Sequence, residues 1–260
     1  MKNIHFNVKT DGFYGVYTNY LRETKILDYS SKQIQLLIER RGWKSLPETK
    51  RVKAIYDFVK DEIVFGYNVD DGVKASRVLK DGYGQCNTKG TLFMALLRAC
   101  GIPCRIHGFM IDKILQKGAM TGLVYQSAPD EIFHSYVEAY VCGEWYNLEG
   151  FILDKKYLSA LQKIFKPNDD GSFIGYGVAT KNLLNPPIEF NCCDTYIQKE
   201  GIVRDFGVYD EPDTLLKEHG QTMSALKKCA YRLVGRRLMN KNVNKIRKTN
   251  KKCAKDSIVS

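Results

Sequence analysis

No stretch of this 260-residue chain stays apolar for the roughly 18 residues that a membrane-crossing helix needs. Its opening, residues 1–15, lacks the apolar centre of a secretory leader, so a cytoplasmic location is the expectation. No internal repeat is visible. The 8 cysteines are scattered and form no disulfide framework; reduced thiols are expected. Cys100 and Cys104 have a chelating spacing, but they sit among apolar neighbours across a helix end, where packing is the expected role. Cys192 and Cys193 are adjacent and poorly placed to bridge or chelate. No acidic cluster has calcium-site character: Asp70-Asp71 and Asp169-Asp170 are pairs in turns. Neither a metal nor a cofactor is expected.

Acids are also missing from one long segment. Residues 227–255 contain 12 Lys or Arg and no Asp or Glu. Taking those 12 from the 40 cations leaves 28, against 28 acids once Asp256 is set aside from the 29. The formal charge of +11 therefore belongs wholly to the C-terminal piece, and residues 1–226 are neutral. Such a body has no bulk affinity for nucleic acid. The basic piece has two readings. One is an arm for an anionic partner, nucleic acid or membrane surface. The other, preferred, is a helix docked by its apolar residues with its cations in water.

What is present suits one large globular domain, or a domain with an appended piece: 44% hydrophobic and 12% aromatic residues. A short strand is expected in 4–8. Ser30 and Ser31 precede a helical pattern that Gly42 ends. Pro47 opens a second helix, read through Phe65, whose Val52, Ile55, Tyr56, Val59 and Ile63 recur at helical spacing. A short helix follows over 75–79. After 86–100 comes an alternating strand, 105–111, on which His107 reads as a hydrogen-bonded strand residue rather than a ligand. Residues 116–131 read as a loop. Residues 133–141 and 144–149 flank Cys142-Gly143, the signature of a tight hairpin. Alternation puts His134, Tyr136, Glu138 and Tyr140 on one face and Val137, Ala139 and Val141 on the core face. A helix is expected over 155–165, no order is legible in 166–210, and a final helical region runs from Pro212 to about residue 247.

The chemistry centres on residues 81–105. Gly82 and Gly84 bracket Tyr83, and Cys86 then opens an apolar run that Gly101 and Pro103 stop. The run picks out no single face, so the helix should be buried nearly all round. A thiol at its N-terminus meets unpaired N–H groups and partial positive charge, which favour thiolate. His134, on the first strand of the hairpin, and Glu149, at the end of the second, supply a candidate base and a carboxylate to orient it. Together they follow the Cys-His-acid logic of acyl transfer.

Three segments carry a family resemblance: GYGQC at 82–86, LLRACGIPCR at 96–105 and HSYVEAYVCGEWYNLE at 134–149. In this order and spacing the chain resembles the transglutaminase-like superfamily of papain-type cysteine enzymes, over roughly residues 30–155. The resemblance implies an α+β papain/transglutaminase-like fold, with a central helix on an antiparallel sheet and further helices at both ends. Residues 156–225 then elaborate the core, and 226–260 form the basic helical region. It places Cys86 on the nucleophile, His134 on the base and Glu149 where the family normally has aspartate. Asp154 and Asn147 are fallbacks for that acid. Tyr136 stands where Trp is usual, and with Trp145 is expected to wall the cleft. The oxyanion would meet the Cys86 N–H and a second donor among Gln85, Tyr83 and Tyr67. The implied reaction is thioester-mediated acyl transfer on a peptide or protein amide. Hydrolysis is favoured over transamidation of protein glutamine, and a non-catalytic binding module with a cationic arm is the competing class.

Overall fold

The structure is a computed structural model and describes residues 17–221 and 224–256. The strand expected in 4–8 lies outside them. In chain order the elements are α1 (Lys32–Arg41), α2 (Glu48–Asp61), β1 (Val64–Phe65), α3 (Ala75–Asp81), β2 (Tyr83–Gly84), α4 (Cys86–Ala99), β3 (Cys104–Asp112) and α5 (Gly122–Ser127). There follow β4 (Glu131–Val141), β5 (Glu144–Leu148), α6 (Lys155–Ile164), β6 (Phe173–Gly175), β7 (Val178–Thr180), β8 (Ile202–Tyr209), α7 (Pro212–His219), α8 (Ala225–Ala230) and α9 (Arg236–Asp256). This is an α+β fold.

Helix α4 is the hub. Every residue from Cys86 to Arg98 is buried, as the faceless apolar pattern predicts. One side of α4 lies on an antiparallel sheet of order β5-β4-β3-β8, and α2 and α3 pack around the rest. The Phe93 ring sits 5.0 Å from Phe151 and 5.9 Å from Tyr56. Lys89 is carried into this core. Its ammonium donates to the carbonyls of Lys60 at 3.1 Å and Ile152 at 3.0 Å. Burial pulls its pKa down to about 7, against the attraction of Asp154.

Two glycines set the approach to α4. Gly82 adopts φ 70° as the left-handed cap of α3. Gly84 lies so close to the first turn of α4 that a Cβ would come within 2.7 Å of Thr88 Oγ1. Between them the chain forms β2, paired in parallel with β1. The β4–β5 turn has φ 51° at Cys142 and 97° at Gly143, the positive pair a tight twisted hairpin requires.

Several expectations are corrected. The second helix stops at Asp61, and Val64 and Phe65 leave it to pair with β2. The loop expected over 116–131 contains α5. The illegible stretch holds the β6–β7 hairpin and β8, the fourth strand of the main sheet. The final helical region is broken at Gly220 and resumes as α8. A wide π turn at Tyr231–Gly235 then joins α8 to α9. That last helix docks: Met239 and Val243 are buried, and Arg247 pairs with Asp154 at 2.7 Å.

Arg98, near the end of α4, is 3% exposed and ties three separate chain segments. It donates to the carbonyls of Arg22 at 2.7 Å and Cys104 at 2.9 Å, and to that of Asp210. Replacing it strands all three acceptors, so Arg98→Ala should cost about 3 kcal/mol or more in urea unfolding. Lys53→Ala, which removes an exposed i,i+4 ion pair with Asp57, should stay within about 0.5 kcal/mol.

Candidate active site

Cys86 is the first residue of α4, and Gln85 is its N-cap. The Gln85 side-chain oxygen accepts from the Asn87 N–H at 2.7 Å and from the Cys86 thiol at 3.0 Å. The Gln85 backbone N–H donates to Thr88 Oγ1 at 3.1 Å, closing a reciprocal cap. The Gln85 amide nitrogen donates to Asp71, whose carboxyl burial pushes up to about 6 against the pull of Asn87 and Gln85. Asn87, one residue past the thiol, accepts from Ser135 Oγ at 2.8 Å and so locks the tip of α4 to β4.

That lock brings His134 to Cys86. His134 is fully buried, and its Nε2 bonds Glu149 Oε1 at 2.8 Å. The carboxylate therefore keeps a proton on Nε2, in the neutral ring and in the imidazolium alike. Nδ1 is buried and meets no hydrogen-bond partner. It is the nitrogen left for the thiol, and Cys86 lies near enough to act on the ring. Burial lowers the His134 pKa, but Cys86 and then Glu149 outweigh it, and the value rises to about 10.

Glu149 is fixed from its other oxygen. Oε2 accepts from the backbone N–H groups of Ile197 and Gln198, both at 2.8 Å. Its own N–H donates to the Thr195 carbonyl at 2.9 Å, where the chain bridges in parallel to Leu148. The extra methylene of glutamate is thus taken up by a span: one oxygen on the imidazole, the other on a neighbouring segment.

The other acid candidates are occupied elsewhere. Asp154 caps α6 through the Tyr157 N–H at 3.0 Å and pairs with Arg247. Asn147 bonds Asp194 and Tyr196, each at 3.0 Å.

A cavity of about 870 Å³ opens at Cys86 and is also lined by Gln85, Asn87, Tyr67 and Gln116. The buried Tyr67 hydroxyl donates to Gln116 Oε1 at 2.5 Å. Tyr83 is not part of this wall; its hydroxyl accepts from Arg236 at 3.3 Å. Nor do Tyr136 and Trp145 line the cavity. Tyr136 packs on Phe109 at 4.9 Å and on His107 at 5.3 Å. Trp145 stacks under the Arg105 guanidinium at 4.0 Å, near the hairpin turn. Strand alternation put Tyr136 on the face of His134 but could not say how far along the sheet the cleft extends. His107 is held between Glu138 at 2.9 Å and Asp205 at 2.8 Å, the bonded strand residue the sequence suggests. Cys100 and Cys104 are free and buried. Among the described residues, no group of three His, Cys, Asp or Glu side chains could hold a metal ion.

Sequence reasoning missed Gln116, Ser135 and the 195–198 backbone that holds Glu149. Only Ser135 had a usable signal: alternation from His134 points it at α4.

Residues 39–150 match the profile of the transglutaminase-like superfamily. Among solved structures, the chain is similar to a candidate cysteine protease from Cytophaga hutchinsonii, at 22% identity and a TM-score of 0.41, over 54% of this chain and 43% of that one. It is also similar to red sea bream transglutaminase, at 19% identity and a TM-score of 0.28, over 52% of this chain and 26% of that one. The similarity thus spans less than half of either relative. No curated protein matches in sequence.

The raised His134 value has a thermodynamic consequence. A folded pKa near 10 against 6.5 unfolded means native protons are held more tightly. The resulting stability is fully present below pH about 6.5 and is lost as pH climbs through about 10. Urea unfolding of wild type and His134→Gln across this range should show a difference that shrinks toward alkaline pH. Lys89, whose lowered pKa works in the opposite sense over overlapping pH, cancels in that difference.

Proposed function

We propose that this chain, whose residues 39–150 belong to the transglutaminase-like superfamily, is a cysteine enzyme that cleaves peptide or protein amides through a thioester. The observation that carries the reading is the buried Glu149–His134 contact at 2.8 Å, with His134 Nδ1 left without a hydrogen-bond partner and Cys86 close enough to raise the pKa of the ring.

In this mechanism His134 Nδ1 takes the thiol proton and becomes imidazolium, stabilised by Glu149. The Cys86 sulfur then attacks the amide carbonyl. Negative charge gathers on the carbonyl oxygen, and the Cys86 N–H at the start of α4 is placed to receive it. As the tetrahedral species collapses, the C–N bond breaks and Nδ1 delivers its proton to the departing amine. Water, deprotonated by the same nitrogen, attacks the thioester and restores the thiol.

Tyr67 and Gln116, a hydrogen-bonded pair on the cavity wall, would supply the second oxyanion donor. Gln85 turns its carbonyl oxygen, not its amide, to the thiol, and so positions the sulfur in the resting state. Hydrolysis, with water as the acceptor, is placed ahead of transamidation. An amine acceptor entering the same cavity would give transfer by an otherwise identical second half-reaction.

Cys86→Ala should abolish amide cleavage measured on a casein-type protein mixture, with no loss of helical circular dichroism. Survival of the activity in that variant would exclude the thiol as nucleophile. Glu149→Gln keeps the shape and removes the charge. Its kcat should fall by about 10²-fold or more, and the alkaline limb of kcat/KM should move down by about one pH unit or more, since the imidazolium loses its counter-charge. An unchanged alkaline limb would separate Glu149 from the titration of His134.

A further inference from the structure

The cleft beside Cys86 has one wall that the family-matched segment does not supply. The match ends at residue 150, yet Tyr231, Val234 and Met239 line the cavity. They come from the π turn and the start of α9. Leu123, on α5, and Ile132 and Phe133, on β4, line the same cavity. The slot has depth: Phe133 and Met239 are 2% and 1% exposed, while Leu123 and Val234 at the mouth are 81% and 56% exposed.

The wall is fastened, not loosely laid. The Asn240 side chain pairs with the Tyr67 backbone in both directions, accepting from its N–H at 2.7 Å and donating to its carbonyl at 3.0 Å. Tyr231 donates to the Asn68 carbonyl at 3.0 Å, and Asn242 to that of Ala119 at 3.1 Å. The C-terminal wall is therefore tied to the segment that carries Tyr67, itself beside Cys86, and to Ala119.

The charges lining the cavity largely satisfy one another. Asp70 is held by Lys228 at 3.2 Å and Arg232 at 2.6 Å, and Asp71 by the Gln85 amide. Lys227 also lines the cavity, as an exposed side chain. What remains to discriminate between substrates is the apolar surface reaching from the mouth to Met239.

We propose that this slot selects substrates whose acyl portion carries an extended hydrophobic side chain, and that Leu123 and Val234 are specificity-determining residues at its mouth. The inference rests on the Cys86 reading above and deepens it. It also gives the basic C-terminal region a role in the site: its apolar residues shape the slot, and Arg232 and Lys228 anchor it.

The test uses alkylation of Cys86 in the full-length protein, followed on the Cys86 peptide by mass spectrometry so that the exposed cysteines do not interfere. In each reaction the sulfur forms a thioether and iodide leaves. Iodoacetamide, N-hexyl iodoacetamide and iodoacetate differ in what they present to the slot. Burying most of a six-carbon chain should make the hexyl reagent react about tenfold faster than iodoacetamide in wild type. Leu123→Glu and Val234→Glu should each cut that ratio several-fold, with far-UV circular dichroism confirming the fold, since both side chains are mostly in water. A wild-type ratio near one, a ratio untouched by both substitutions, or a clear preference for iodoacetate would each overturn the slot. Failure of the catalytic reading looks different. Cys86 would then react with iodoacetamide no faster than an ordinary thiol, while a retained hexyl preference would still support the slot.

Discussion

The structure depends on keeping an ionisable pair in a place where neither partner touches water. Glu149 and His134 are both fully buried, and burying a carboxylate is costly unless its lone pairs are occupied. Here they are: one oxygen meets imidazole and the other two backbone N–H groups. Those N–H groups belong to residues far along the chain, so the buried carboxylate is fully satisfied only with the 195–198 segment beside β5. The same requirement explains the parallel bridge at Leu148 and Thr195, which sets that segment at hydrogen-bonding distance. A site that looks local, a hairpin and a helix tip, is in fact closed by a third piece of chain.

The order of construction follows. Helix α4 is apolar on every side and has to be surrounded. The sheet covers one side, α2 and α3 the others, and the helix tip is left where the sheet edge and the cavity meet. Gly84 lets the chain enter the helix at close quarters, and Gln85 caps it with an oxygen that also receives the thiol. Asn87 and Ser135 then set the helix tip against β4, which fixes where His134 can point. Each contact is ordinary; their sequence along one helix turn and one strand is what brings sulfur and imidazole together.

Much of this was legible in advance, for identifiable reasons. The buried helix, the hairpin turn at Cys142-Gly143 and the set Cys86, His134 and Glu149 were marked by strong local patterns and by three motifs in order. What was illegible shared a different character. Strand β8 reads Ile-Val-Arg-Asp-Phe-Gly-Val-Tyr, with Gly207 at φ 80° and register shifts against β3, so it shows no clean alternation. The 195–198 segment contributes backbone rather than side chains, and backbone donors leave no trace in residue identity. Tyr136 was given to the strand face that carries His134, but a face extends along a whole sheet and the cavity occupies only one end. Helix α2 was read too long because Val64 and Phe65 continue its apolar run, and only their partner strand shows that they have left it.

The wide turn at Tyr231–Gly235 bears on how the C-terminal region tolerates change in length. A π turn holds one residue more than the α-helix would need there, so the helical phase before it and after it differ by about a quarter of a revolution. Upstream the chain shows Leu226 to solvent; downstream it presents Met239 and Val243 to the core. Removing a single position would restore a uniform screw and turn those two residues, with Asn240 between them, away from their seats. The segment is thus read in a fixed frame: substitutions on its outer face can accumulate freely, while an indel of one residue inside 231–235 would disengage the whole arm from the body.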